Sequence, residues 1–309
     1  MVIDMKEIIA LDVGGSTVKC AHFTTEGILK DKWLVTSSKT GAGMQIFSDI
    51  AKSLKKRDID LENIKGIGIG VPGPVLDTTV YEAVNLGWGT LDVKEALVKA
   101  LGQEVPVYVE NDANIAAYGE YFTIKDADSL ALLTLGTGIG DGIILNGKIY
   151  RGVNGSAGEI GHMKMAGADG LLCNCGLKGC LETFASATGV TRHMKQFIEA
   201  GMNSSLNPEH INAKMVFDAA KAGDAVALKV VDQAAYYLAH AIANMNVILD
   251  LDNVLIGGGL SEAGLFLIDK IKAYYQDVAF KPLRGLDIKK ASLGNDAGIY
   301  GAFRVVQHA

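Results

Sequence analysis

Apolar and polar positions change period along the chain, and the changes mark out its elements. Apolar runs at 8–13 and 18–23 predict two strands joined by a turn at Gly14, Gly15 and Ser16, with a third strand near 33–36. From 44 to 54 the period becomes helical and sets Ile46, Phe47, Ile50, Ala51 and Leu54 on one face. A strand at 64–71, a helix at 93–101, a strand at 105–110 and a helix from 112 to about 122 complete an α/β half.

The second half returns to the opening pattern. Strand-like runs at 130–135 and 143–145 flank Gly136, Thr137, Gly138, Ile139 and Gly140, a unit that can be laid over residues 11–21 with Gly136 on Gly14 and Thr134 on Asp12. Two related halves facing each other across a cleft is one reading. Two unrelated hairpins in a glycine-rich chain is the other. Helical periods follow at 188–200, 215–222 and 225–249. After them come a strand at 253–256, a turn at Gly257, Gly258 and Gly259, a helix at 263–275, a strand at 288–293 and a last helix at 297–306. The longest apolar stretch, 234–251, is interrupted by His240, Asn244, Asn246 and Asp250, so it predicts a buried core helix and no membrane span.

Composition narrows the class. With 309 residues, 49% hydrophobic and 21% charged, the chain can hold one large or two ordinary α/β domains. Its 37 glycines against 5 prolines point to tight turns and close backbone approaches. A net charge of −6 without any basic block argues against nucleic acid and anionic membranes as partners. The N-terminal residues carry no apolar signal core, so a cytoplasmic location is expected.

Cysteine usage gives the sharpest chemical signal. Cys173, Cys175 and Cys180 lie within eight residues of one another, and His162 stands a short way upstream. Three thiols and one imidazole are the four soft or borderline ligands of a closed tetrahedral Zn²⁺ site, which has no open position for a reactive water. A cluster of three suits disulfide pairing poorly. The expected role is therefore structural, fixing the backbone that carries Glu159 and Glu182. Held there, those side chains suit a polyhydroxylated ligand; the plainer reading is solvated surface acids.

Other candidates are individually weaker. Glycine turns let backbone amides point at phosphate oxygens, and Asp12 ahead of the first turn could face a phosphate-bound Mg²⁺. A Walker A sequence is absent. Gly68, Gly70 and Gly73 have the spacing of a dinucleotide fingerprint, yet Pro72 and Pro74 flank the third glycine and no helical period follows. The run Glu110, Asn111, Asp112, Ala113, Asn114 falls at a strand-to-helix junction. There Asn and Asp are preferred helix caps, and there a carboxylate such as Asp112 can also accept a substrate proton. His22, His193, His210, His240 and His308 have no companion motif and are read as structural or exposed.

Taken in order, Asp12-Val-Gly-Gly-Ser-Thr, Glu110-Asn-Asp-Ala-Asn, Leu135-Gly-Thr-Gly-Ile-Gly, Gly158-Glu-Ile-Gly-His, the Cys-x-Cys-Gly-x-x-Gly-Cys run and Ile256-Gly-Gly-Gly resemble the ROK family of sugar kinases over essentially the whole chain. Within it the chain looks most like the bacterial ATP-dependent glucokinases, through Asn85-Leu-Gly-Trp88, Cys180-Leu-Glu-Thr-Phe-Ala-Ser186 and Leu293-Gly-Asn-Asp-Ala-Gly298. Other sugars are open to the family, among them N-acetylmannosamine, fructose and β-glucosides. A non-catalytic sugar sensor is a further reading, which the intact Asp112 argues against. The family also includes repressors with an N-terminal helix-turn-helix. Here the first phosphate strand begins by Ile8, so no such motif is expected.

The resemblance implies an actin-like (ribonuclease H-like) α/β fold: a small domain of 1–121 plus about 297–309, a large domain of 122–296 with the zinc site, and a cleft between them. It implies ATP, Mg²⁺ and a structural Zn²⁺ as cofactors, a hexose as substrate and a homodimer. The phosphates and Mg²⁺ fall to Asp12, Gly14, Gly15, Ser16, Thr17 and Lys19, with Gly136, Thr137 and Gly138 as the second phosphate loop and Gly257, Gly258 and Gly259 near the adenosine. The hexose falls to Asn85, Asn111, Asp112, Glu159, His162 and Glu182, with Asp112 as the base, while His162, Cys173, Cys175 and Cys180 hold the zinc. Two departures stand out. Ser16 replaces the usual Thr and keeps its hydroxyl. Asp141 stands where glycine is common, and a carboxylate beside phosphates is repulsive unless it points away or helps hold the cation.

Overall fold

The computed structural model describes residues 6–36 and 43–309. Its first half comprises β1 (Glu7–Val13), β2 (Thr17–Thr24), β3 (Leu29–Thr36), α1 (Gln45–Lys55), β4 (Ile64–Val71), a small three-stranded sheet of β5 (Val75–Leu76), β6 (Thr79–Val80) and β7 (Leu91–Asp92), then α2 (Val93–Leu101), β8 (Val107–Asn111) and α3 (Asp112–Tyr121). The second half comprises β9 (Leu130–Leu135), β10 (Ile139–Leu145), β11 (Lys148–Ile149), α4 (Glu182–Ala185), α5 (Ala187–Glu199), α6 (Ala213–Lys221), α7 (Ala225–Leu249), β12 (Asn253–Gly257), α8 (Leu265–Val278), β13 (Asp287–Lys290) and α9 (Ala297–Gln307).

The two halves are topological copies. Their sheets run β3-β2-β1-β4-β8 and β11-β10-β9-β12-β13. In each, the first two strands of the glycine hairpin pair antiparallel and the next two strands add in parallel. The similarity of 11–21 to the second hairpin is thus a repeat of structure. The second turn is one residue shorter, since Val13 pairs with Val18 but Leu135 with Ile139.

Both faces of each central strand are covered, which is why the runs read as continuously apolar. Ile9, Leu11 and Val13 of β1 join Ile46, Ile50 and Leu97 of α1 and α2, whereas Ile8 and Ala10 point the other way onto Ile299, Ala302 and Phe303 of α9. Likewise Ala131, Leu133 and Leu135 of β9 join the large core with α5 to α8, while Leu130 and Leu132 meet Ala117 and Tyr118 of α3. Helices α3 and α9 therefore lie packed together between the sheets.

Three sequence expectations shift for identifiable reasons. The strand read at 143–145 begins at Ile139; Gly140, Asp141 and Gly142 resemble a turn but stay in register with β9. The helix read from 263 starts at Leu265, because Gly259–Ala263 is a 3₁₀ turn and Gly264 has φ +68°. The strand read to 293 stops at Lys290, beyond which Glu120 captures the backbone. The dinucleotide-like glycines serve packing instead: Gly68 admits the Ala302 carbonyl, Gly70 admits the Ile115 side chain, and Gly73 takes φ +93° in a turn. Among the described residues no helix is long and apolar enough to cross a membrane, and the 25-residue α7 turns Val230, Leu238 and Ile242 into the core.

Candidate active site

A cavity of about 660 Å³ opens where the two hairpins and the N-termini of α3 and α9 meet. Asp12, Lys19, Asn85, Asp112, Gly136, Gly138, Glu182 and the Gly257, Gly258, Gly259 turn all line it. Gly14, Gly15, Ser16 and Thr17 form the turn between Asp12 and Lys19, closed by the Gly14 amide on the Thr17 carbonyl at 2.9 Å. The second turn is closed by the Gly136 amide on the Gly138 carbonyl at 3.0 Å. Thr137 faces an adjoining groove, where its carbonyl accepts the Thr188 hydroxyl at 2.8 Å. Glycine turns and the uncapped N-terminus of α9 suit an anionic ligand such as a phosphate chain.

The strand-to-helix junction at β8 separates two roles that a single residue could not fill together. Asn111 is the cap of α3: its Oδ1 accepts the amides of Ala113 at 2.9 Å and Asn114 at 3.1 Å, and its Nδ2 donates to the Gly73 carbonyl at 3.0 Å. Asp112 is thereby the first helical residue, free to present its carboxyl to the cavity, with one oxygen accepting the Ala113 amide at 2.8 Å. Burial, with a further push from the Asp12 and Glu159 charges, raises the Asp112 pKa to about 6. Behind the junction the buried Glu110 accepts the Asn111 amide at 2.9 Å, the Asn114 amide group at 3.0 Å and Arg151 Nε at 2.5 Å. This anchor was missed in the sequence, because Arg151 lies forty-one residues away.

Asp12 pairs with Lys19 directly across the hairpin, Nζ to Oδ2 3.0 Å, and Lys19 also donates to the Asn295 carbonyl at 2.7 Å. Gly298 of α9 makes room for this carboxyl: a Cβ there would stand 2.6 Å from it. Lys290, Asn295 and Gly298 also line the cavity. Of these, Asn295 and Gly298 were signalled only as part of the Leu293 to Gly298 segment.

His162, Cys173, Cys175 and Cys180 come together, their ligating atoms all within 4.8 Å of one another. The Cys175 and Cys180 sulfurs are 3.7 Å apart, close to the spacing that a tetrahedral ion with ~2.3 Å zinc–sulfur bonds demands. His162 offers Nδ1, 3.6 Å from the Cys173 sulfur, and its Nε2 lies 4.0 Å from Glu159. The residues fit a zinc ion, and Lys164, whose Nζ is 3.0 Å from the Cys180 sulfur, adds a cation that offsets thiolate charge. Glu182 joins this cluster to the phosphate side: its Oε1 accepts from the Cys173 thiol at 2.8 Å, and its other oxygen reaches the space beside Gly138.

Asp141 resolves the departure noted in the second loop. It points away from the cavity into the protein, where its Oδ1 accepts the Ile160 amide at 2.7 Å. Its carboxyl leaves β10 on the side away from the phosphate face, and burial pushes its pKa well above the usual carboxylate range.

Two sheets of matching order, with paired helices between them and glycine turns meeting at a cleft, define an actin-like protein of two related α/β halves. Residues 8–309 match the ROK family, and the chain belongs to it. It is 43% identical over 307 residues to a glucokinase of Halalkalibacterium halodurans, covering 95% of this chain and 92% of that one. An N-acetylmannosamine kinase of Yersinia pseudotuberculosis is 31% identical over 300 residues, 95% of this chain and 96% of that one. Among solved structures, a ROK family glucokinase from Streptomyces griseus in complex with glucose and AMPPNP superposes with a TM-score of 0.79 at 31% identity, covering 98% of this chain and 100% of that one.

Proposed function

We propose that the protein is an ATP-dependent glucokinase that transfers the γ-phosphoryl group of ATP to the 6-hydroxyl of glucose. The observation that carries this reading is Asp112, freed from capping by Asn111 and set at the cavity wall with a pKa of about 6. A base of that strength is ionised at neutral pH and still basic enough to take a hydroxyl proton. The higher identity to a glucokinase, 43% against 31% for the N-acetylmannosamine kinase, favours glucose over the aminosugar.

In this mechanism Asp112 accepts the hydrogen bond of the sugar 6-hydroxyl. As the new O–P bond forms and the bond from the γ-phosphorus to ADP breaks, the hydroxyl proton passes to the Asp112 carboxylate. Asn85, Asn111, Glu159, His162 and Glu182 hold the hexose. The Gly14, Gly15, Ser16, Thr17 turn, Lys19 and the Gly136 to Gly138 turn face the phosphates, and Gly257 to Gly259 the adenosine. Asp12 would hold Mg²⁺, a hard cation suited to carboxylate oxygen, which when bound would neutralise charge on the phosphates. The zinc would be held by His162, Cys173, Cys175 and Cys180 as a structural ion. Most of the acceleration comes from alignment and exclusion of water, so the small unit, 1–121 with 297–309, closes on the large one, 122–296, when both substrates are bound. A cytoplasmic homodimer completes the reading, C2 dimers being the commonest soluble assembly.

Steady-state phosphorylation of a hexose panel with Mg-ATP tests the assignment. Glucose is expected to give the highest kcat/KM. A higher value for N-acetylmannosamine or fructose would replace glucose, and no turnover with any hexose would reject the kinase.

A further inference from the structure

Asp141 has no part in the chemistry above, yet it is buried to 5% exposure beside the segment that carries Glu159 and His162. On β10 it pairs with Leu133, so it leaves the sheet on the face opposite Thr134 and Gly140, which line the cavity. Its Oδ1 accepts the Ile160 amide at 2.7 Å. Its Oδ2 is buried without a partner, against Gly158, where a Cβ would come within 3.2 Å of it.

Ile160 opens the 3₁₀ turn Ile160–His162, and Glu159, the residue before it, gives that turn no side-chain cap. The first amides of a helical turn lack partners of their own. Asp141 supplies the missing acceptor from another strand. Beside this contact Gly161 lies against the Ile139 carbonyl, so β10 holds the turn at two points. Between the two candidate hexose ligands Glu159 and His162, the backbone is therefore tied to the strand that leads out of the second phosphate loop.

We propose that Asp141 is a positioning residue for hexose binding, which fixes the 159–162 backbone, and with it the Glu159 side chain, relative to the phosphate loop. The inference rests on the glucokinase reading. A neutral carboxyl suffices for the task, because its carbonyl oxygen accepts the amide without bringing charge, and the upward push of burial on this group agrees with that. Asparagine has the same shape and keeps that acceptor; alanine removes it.

The test compares full-length, zinc-replete wild type, Asp141→Asn and Asp141→Ala by KM for glucose, KM for ATP, kcat and thermal melting. The asparagine variant is expected to track the wild type. The alanine variant is expected to raise the glucose KM about tenfold, the factor for loss of one hydrogen bond of ordinary net worth, with the ATP KM unchanged. If alanine does not yield folded protein, Asp141→Ser, whose shorter side chain withdraws the acceptor, is read against the same outcomes. A lower melting temperature with an unchanged glucose KM would reduce Asp141 to a purely structural role and overturn the proposal. Equal damage from asparagine and alanine would overturn it as well, since the shared acceptor would not matter. Wild type without glucose turnover would remove the glucokinase reading and this inference together, a result distinct from an active wild type with unaltered variants.

Discussion

Gly301 of α9 and Ile115 of α3 meet backbone to backbone: a Cβ added to Gly301 would collide with the Ile115 carbonyl oxygen. The contact is nearly reciprocal, since Gly119 of α3 faces the Ala297 carbonyl and the Gly301 amide in the same way. Because these helices cover the inner faces of the two sheets, their crossing sets how the sheets stand relative to each other and how the cavity is shaped.

Gly301→Ala should accordingly cost about 1–3 kcal/mol or more, the usual penalty of overpacking a close-packed contact. Gly285→Ala, at an exposed site where a Cβ meets nothing within 4 Å, should stay within about 0.5 kcal/mol of wild type. Urea denaturation of both variants checks the contrast.

Asp112→Asn should lower kcat by about 10²–10⁴-fold while leaving the fold and the glucose KM close to wild type. The fold survives because Asn111, and not Asp112, caps α3. Asn111→Ala should lose about 1 kcal/mol or more of stability and, because Asn111 also holds the hexose in the proposed reading, raise the glucose KM with less effect on kcat. Kinetics together with thermal melting separate the two, and near-normal kcat in Asp112→Asn would remove Asp112 as the base.

The pH profile follows from the raised pKa of Asp112. The base works unprotonated, so kcat/KM should fall with decreasing pH through about 6, as the free enzyme takes up a proton. Stability has the opposite sign. A folded-state pKa above the ordinary value makes the contribution of this group fully present below the ordinary carboxylate pKa and lost as pH rises through about 6. Asp112→Asn should therefore melt no lower than wild type at pH 8, and the acid limb of its residual activity should disappear.

Cys175→Ser should lose the zinc and melt several degrees lower, because a closed structural site contributes directly to folding. Metal analysis and calorimetry measure the two effects. Chelation of the wild type should raise the glucose KM more than the ATP KM, since Glu182 and the 159–162 turn adjoin the cluster. Native protein without zinc would reject the site.

Much of this was legible in the sequence because its causes are local. Apolar runs mark strands buried on both faces, so β1, β4, β9 and β12 stood out. The 3.6-residue period marked α1 and α7. The cysteine cluster was readable because its thiols are close along the chain, leaving only His162 to be brought in by folding. Candidate residues such as Asp12, Asp112 and Glu182 were marked by ordered motifs, and they meet at one cavity.

Tertiary structure decided what depends on partners distant along the chain. Whether Asn111 or Asp112 caps α3 was settled where Gly73 and Glu110 fix the junction. Glu120, fully buried, holds Ser292 and Leu293 from more than 170 residues away and so ends β13 early, and nothing local announces it. Asp141 read as a charge beside phosphates; strand parity places it on the other face, and only the packing of 158–162 over that face makes it buried. Sequence by itself determined the elements, the repeat as a candidate and the cast of reactive groups, since period and spacing are properties of neighbours. Which face each group presents, and which groups share one cavity, came from helices and sheets packed across the whole chain.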